Sequence, residues 1–241
     1  MGVGKKPAEI GGSRYWKSRL MNGEPVTVVA YGDSWTYGSV AEGWYEAKDA
    51  GMNAELIHGS WVLKLRRHLQ SLNPKAVVHN CGKGGWTSAN GSDSFERNVG
   101  SLRPDLLVLN FGINDWKRPV PLNDYRANME RMLTRAEELG IACLLWTSGP
   151  LSTMSGQTYG WTEPVADAAF PATFDRFNDS LREFAAARGI PLADAEREIV
   201  AEWRSGTDIS GWFFDAIHFT QQGHDRIFDC IRRTIASIES C

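Results

Sequence analysis

Ser34 follows Gly32-Asp33 at the end of an apolar stretch, and His218 follows Asp215 by three residues near the far end of the chain. A serine hydroxyl is a weak nucleophile at neutral pH unless a base takes its proton, and an imidazole serves as that base when a carboxylate holds its other nitrogen. Asp215 is spaced to accept the Nδ1 proton of His218 in a tight turn, which fixes the tautomer and leaves Nε2 for Ser34. Attack on a carbonyl also builds an oxyanion, and that charge needs hydrogen-bond donors. Three candidates are present: the backbone N–H of Ser34, that of Gly85 in the glycine-rich stretch 81–86, and the side-chain amide of Asn114 in Gly112-Ile113-Asn114-Asp115. Each block alone has a plain structural reading: a capping serine, a flexible turn, an Asx-turn, a surface histidine. Together they supply the parts of a serine acyl-transfer site.

Tryptophans crowd these blocks. Trp35 follows Ser34, Trp86 follows Gly85, Trp116 lies two residues after Asn114, and Trp212 lies three before Asp215. Core packing is the usual fate of tryptophan, but it does not account for such placement. At least two of these rings are expected to line a substrate cleft, with Trp35, Trp86 and Trp116 as candidates. Trp44 and Tyr45 are further candidates on a possible lid. Asp33 and Asp115 are expected to cap or brace the catalytic loops. His58, His68, His79 and His224 read as polar filler. His218 and His224 are six residues apart with no third ligand nearby, which argues against zinc.

The elements that must position these residues can be read from hydrophobic pattern. Short β-branched or apolar runs predict strands over 25–31, 76–79, 104–111, 141–146 and 190–193. Apolar residues at helical spacing predict helices over 61–69, 123–139, 174–188, 195–204 and 223–238, with Ser60 as the cap of the first and Gly140 and Gly189 ending the second and third. Residues 1–24 read as an irregular lead-in, and residues 39–58 and 151–170 as long connections. Strands alternating with helices predict one α/β domain over 25–241, an open five-stranded parallel sheet with helices on both faces. Ligands of such sheets bind at the carboxyl ends of the strands, and Ser34, Gly85 and Asn114 fall just after the first three.

Composition sets outer bounds. A chain of 241 residues with formal charge −3 gives no electrostatic reason to expect a nucleic-acid partner. No apolar run approaches the roughly 20 residues that span a bilayer. The polar N-terminus lacks the apolar core of a secretory signal, and Lys6 stands where a myristoylation motif wants Ser or Thr, so a cytoplasmic protein is expected. Cys81, Cys143, Cys230 and Cys241 are widely spaced and read as reduced thiols.

The blocks Gly32-Asp33-Ser34, Asn80-Cys81-Gly82-Lys83-Gly84-Gly85, Gly112-Ile113-Asn114-Asp115 and Asp215-Ala216-Ile217-His218 resemble the four signature blocks of the SGNH (GDSL-type) hydrolases. The likeness spans about residues 26–235. It implies a flavodoxin-like three-layer α/β/α sandwich and a Ser-His-Asp ester hydrolase without metal or organic cofactor. By that match Ser34 is the nucleophile, His218 the base, Asp215 its partner, and Gly85 and Asn114 oxyanion donors. Two departures stand out: Trp35 replaces the leucine that commonly follows the serine, and the 39–58 excursion is long. The absence of Gly-x-Ser-x-Gly speaks against the α/β-hydrolase elbow. The implied substrate is a small-molecule or glycan ester of a short acyl group, with O-acetyl on carbohydrate as the leading candidate. The alternatives are a thioesterase or lysophospholipase on the same scaffold, and a non-catalytic glycan-binding module.

Overall fold

The computed structural model describes residues 12–151 and 174–239. The connection expected at 151–170 lies, after Leu151, outside the described residues, as does Cys241.

Five parallel strands form one sheet: β1 (Val26–Gly32), β2 (Ala76–Gly82), β3 (Leu106–Leu109), β4 (Ala142–Trp146) and β5 (Leu192–Ala193), in the spatial order β2-β1-β3-β4-β5. Register follows the apolar runs, Val26 facing Ala76 and Val28 facing Leu106. Alternation along each strand splits the core in two, because successive side chains point to opposite faces. Val28, Ala30, Leu106, Val108, Leu144 and Trp146 face one way. Val29, Tyr31, Leu107, Leu109 and Leu145 face the other. All four residues of β3 are buried, as a strand covered on both faces must be.

The first face is covered by α1 (Ser13–Met21), α4 (Trp61–Leu72), α10 (Ala195–Arg204) and α11 (Gln221–Ser237). Between α1 and α4 come the short helices α2 (Ser34–Tyr37) and α3 (Trp44–Asp49). The second face is covered by α6 (Phe95–Asn98), α8 (Leu122–Glu138) and α9 (Asp175–Arg188). Two further short helices, α5 (Ser88–Asp93) and α7 (Ile113–Lys117), follow β2 and β3. Ser60 caps α4 as expected, its Oγ accepting from the Leu63 N–H at 3.2 Å.

The lead-in departs from expectation. Residues 13–21 form α1, which buries Trp16 and Leu20 at helical spacing. The Lys17 ammonium donates to the Ile235 carbonyl at 2.8 Å and so ties the helix to the end of α11. With only two of its apolar residues buried and no capping side chain, this helix draws its stability from tertiary burial, which local pattern does not report.

The 39–58 excursion contains α3 and a 3₁₀ turn at Ala54–Leu56. It closes a small core of its own from Tyr37, Ala41, Ala47 and Ile57. It is also strapped to α11. Gln221 accepts from the Glu42 N–H at 3.0 Å and donates to the Gly59 carbonyl at 2.9 Å. Buried His224 pairs with the Ser39 carbonyl at 3.0 Å. Burial pushes the His224 imidazole down to about 4, against the pull of that hydrogen bond, so the ring is neutral and donates to the carbonyl. No helix among the described residues is long and apolar enough to cross a membrane.

Candidate active site

The chain order of the sheet reverses beside β1, whose neighbours β2 and β3 lead away on opposite sides. Gly32 ends β1 and packs where no side chain fits: a Cβ there would lie 2.3 Å from Thr36 Oγ1 and 2.5 Å from the Asn110 carbonyl. Asp33 then caps α2, its Oδ1 accepting from the Trp35 N–H at 3.0 Å. Ser34 is the first residue of that helix. Its backbone N–H has no acceptor among the described residues, as the first turn of a helix requires.

The Ser34 hydroxyl lies 3.3 Å from His218 Nε2, although the two residues are 184 positions apart. His218 sits on a short antiparallel loop before α11. The Phe214 N–H donates to the His218 carbonyl at 2.8 Å, the Thr220 N–H donates to the Trp212 carbonyl at 2.9 Å, and Phe213 bridges Phe219. Inside this loop Asp215 works with both oxygens. Its Oδ2 pairs with His218 Nδ1 at 2.8 Å. Its Oδ1 accepts the backbone N–H groups of Ile217 and His218 at 2.8 and 2.6 Å. Burial alone would raise the Asp215 carboxyl, but hydrogen bonds from the His218 ring and these two N–H groups outweigh it and hold the carboxyl below its ordinary value. An ionised Asp215 selects the tautomer that carries its proton on Nδ1 and turns the Nε2 lone pair toward Ser34.

Aromatic packing holds the two halves together. Trp35 is 2% exposed. Its ring meets Phe219 at 4.9 Å and Trp146 at 6.4 Å between centroids, and its carbonyl accepts from the Trp61 indole N–H at 2.9 Å. Trp35 is the neighbour of Ser34 and Phe219 the neighbour of His218, so this buried contact joins the two turns. The expectation that Trp35 lines a substrate cleft is therefore corrected: its ring belongs to the core. The reason is helical geometry, since adjacent residues on a helix diverge by roughly 100°, and Ser34 and Trp35 cannot share a face. Trp212 is likewise buried, with the Arg226 guanidinium 4.7 Å above its ring.

The donors come from two loops that are fastened to each other. Gly85 has a φ of +77°, a conformation that suits glycine, and its N–H has no acceptor among the described residues. Asn114, on α7, donates one amide hydrogen to the Trp86 carbonyl at 2.9 Å, which leaves the second hydrogen available. The neighbouring Asp115 is fully buried. It accepts the Ser88 N–H at 2.9 Å and the Ser88 hydroxyl at 2.6 Å. Asn128 on α8 donates to the same hydroxyl at 2.9 Å. The bracing expected of Asp33 and Asp115 is what their hydrogen bonds do.

Sequence reasoning missed Ser88, Asn128 and Asn110. Buried Asn110, just past β3, donates to the Trp146 carbonyl at 2.7 Å and accepts from Ser148 Oγ at 3.2 Å. For Asn110 the available signal was a polar residue at the end of an apolar run; Ser88 and Asn128 carried none. Trp86 and Trp116 are half-buried against the second core, Trp116 with its ring 5.9 Å from Phe174. Both remain on the donor loops. Trp44 packs instead on the excursion's own core and on Tyr45 at 4.9 Å. Among the described residues no three His, Cys, Asp or Glu side chains are grouped as a metal ion would need. Cys81, Cys143 and Cys230 are free thiols.

This geometry meets an independent finding: the family model of the GDSL-like lipase/acylhydrolases matches residues 30–226. The chain belongs to that family. A GDSL-family member of this kind is a carboxylic ester hydrolase. Comparison with curated proteins gives no significant match. Among solved structures, the fold is similar to LAE5, an α/β hydrolase enzyme from the metagenome of Lake Arreo, Spain, with TM-score 0.69 and 21% identity over 89% of this chain and 97% of that one. It is also similar to a variant of Axe2, an acetyl-xylooligosaccharide esterase of Geobacillus stearothermophilus, with TM-score 0.68 and 20% identity over 90% and 97%. The acetyl xylan esterase AlAXEase gives TM-score 0.65 and 16% identity over 86% and 98%. At these identities the likeness concerns the fold, and the GDSL family membership rests on the family model.

Proposed function

We propose that this GDSL-family hydrolase is a serine esterase that removes short acyl groups, O-acetyl groups on carbohydrate above all, through a covalent acyl-enzyme. The observation that carries the reading is the relay from Asp215 through His218 to the Ser34 hydroxyl, at 2.8 and 3.3 Å. His218 Nε2 takes the proton of Ser34 as its Oγ attacks the ester carbonyl. The developing oxyanion is met by the N–H groups of Ser34 and Gly85 and by the free amide hydrogen of Asn114. His218 then gives its proton to the departing alcohol. Water, deprotonated by the same ring, releases the acid and restores Ser34.

Two observations favour a small acyl group on a sugar. Ser34 is recessed, 7% exposed, and the half-buried rings of Trp86 and Trp116 lie on the donor loops, where aromatic faces suit sugar rings. Catalytic mutants of Axe2, an acetylxylan esterase, replace a serine, an aspartate and a histidine three positions after that aspartate, the same residue types and Asp–His spacing as here. The test is a p-nitrophenyl ester series from acetate to palmitate beside acetylated xylooligosaccharides, with wild type and Ser34→Ala. Acetate should be the best p-nitrophenyl ester, and Ser34→Ala should lose about three orders of magnitude or more in kcat. A palmitate optimum would point to a lysophospholipase. Thioester turnover above ester turnover would point to a thioesterase. Glycan binding with no turnover of any acyl ester would leave a binding module.

A further inference from the structure

Arg118 ends the turn that presents Asn114. Its backbone N–H donates to the Asn114 carbonyl at 3.1 Å, so the two side chains sit one helical turn apart on the same side of α7. Its guanidinium reaches back to the other donor loop. A methyl group built on Gly85 would meet Arg118 Nη2 at 3.7 Å, and nothing else within 4 Å. The open side of Gly85 therefore faces a cation.

Among the described residues no hydrogen bond, ion pair or ring contact engages that cation, and the buried Asp115 carboxyl feels its charge only at a distance. Most Arg and Lys side chains of the described residues are engaged by carboxylates, carbonyls, hydroxyls or aromatic rings. Lys83, Lys117 and Arg118 have no such partner, and all three lie on the loops that carry Gly85 and Asn114. Only Arg103 and Arg176 share that condition elsewhere among the described residues. Asp115, the nearest acid in sequence, is electrostatically favoured by Arg118 but is buried and hydrogen-bonded to Ser88, so it forms no ion pair with the guanidinium. A protein of net charge −3 thus concentrates unpaired positive charge beside its oxyanion donors. Such a rim attracts anionic ligands and raises their local concentration, and a cationic N–H donor adds a charge-assisted hydrogen bond to an anionic oxygen.

We propose that Arg118 is a specificity residue that selects esters carrying an anionic oxygen group, carboxylate or phosphate, on the Gly85 side of the cleft, with Lys83 and Lys117 adding to the field. The proposal rests on the esterase reading above and narrows its substrate class to acidic esters, such as acylated uronic-acid saccharides. The experiment pairs anionic with neutral esters of similar size. Mono-p-nitrophenyl glutarate against p-nitrophenyl butyrate places the charge on the acyl side. p-Acetoxybenzoate and p-acetoxyphenyl phosphate, each against phenyl acetate, place it on the alcohol side and separate carboxylate from phosphate. The readout is the ratio of kcat/KM, anionic over neutral, at low and high salt. In at least one pair the wild-type ratio should fall roughly tenfold in Arg118→Gln, the scale of one charge-assisted hydrogen bond. It should recover in large part in Arg118→Lys, fall further in Arg118→Glu, and shrink with added salt. Ratios equal in wild type and Arg118→Gln for every pair would overturn the proposal. So would a fall in Arg118→Gln that Arg118→Lys does not restore. Turnover surviving in Ser34→Ala would instead defeat the esterase mechanism, an outcome that no Arg118 variant can produce.

Discussion

Asn114 shows how one side chain serves two purposes. One amide hydrogen holds the Trp86 carbonyl, and the other is the one assigned to the oxyanion in the proposed mechanism. Replacing it by alanine should cost about 3 kcal/mol of transition-state stabilisation, or roughly two to three orders of magnitude in kcat, while the lost bond to Trp86 should lower stability by only about 1 kcal/mol. Steady-state kinetics on p-nitrophenyl acetate checks this, and near-native turnover would remove Asn114 from the oxyanion site. At this scale the sequence was informative about polar residues and less so about aromatic ones. The contacts among Ser34, His218 and Asp215 were legible because each is a residue type with a narrow chemical use, in a short block beside a strand end or a helix start; Gly85 and Asn114 were picked out in the same way, and their oxyanion role belongs to the proposal. Trp35 was misread because nearness in sequence was taken for nearness in direction. Its ring sits on Phe219 inside the core, and only the helical turn of α2 decides that. Arg118 carried no sequence signal at all.

The elements around the site are bound chiefly through the loops that follow β2 and β3. Asp115 reaches from α7 to the start of α5, where Thr87 and Asn90 form a reciprocal cap. Removing the carboxylate in Asp115→Ala would strand the Ser88 N–H and hydroxyl in a dry interior. That should cost about 2–4 kcal/mol, visible as a lower urea midpoint at unchanged slope. Because Gly85 and Asn114 then lose their common anchor, kcat should fall as well. A midpoint within about 0.5 kcal/mol of wild type would mean that this clamp contributes little. The short helices α5, α6 and α7 escaped the sequence reading because none is long enough to repeat an apolar stripe, and of the three only α5 carries a side-chain cap. The long ones were legible: α8 and α11 repeat buried residues at helical spacing, and Gly140 and Gly189 mark helix ends.

Across the whole molecule, stability and the site meet at Asp33, fully buried beneath the start of α2, with an Oδ2 that has no partner among the described residues. Burial pushes its carboxyl up to about 7, the nearby Asp115 charge adds to this, and the Trp35 N–H opposes it. Unfolded, the same carboxyl ionises near its ordinary 3.8. Between these values the folded protein keeps a proton that the unfolded chain has released, so this contribution to stability is full below about 4 and is lost as pH rises to about 7. Asp33→Asn keeps an oxygen for the Trp35 N–H and cannot ionise. Its melting temperature relative to wild type should therefore be higher at pH 8 than at pH 5, as followed by circular dichroism, and an equal difference at both pH values would refute this origin. The sequence by itself determined the α/β alternation, the five parallel strands and which short blocks end up at strand ends, because strand and helix periodicity and turn chemistry are local properties of the chain. Only the tertiary structure decided that residues 34 and 218 touch, that 13–21 is a helix, which tryptophans are core, and where positive charge outside ion pairs gathers. Each of those depends on contacts between distant segments, whose energies arise when the sheet assembles and leave no periodic trace in the sequence.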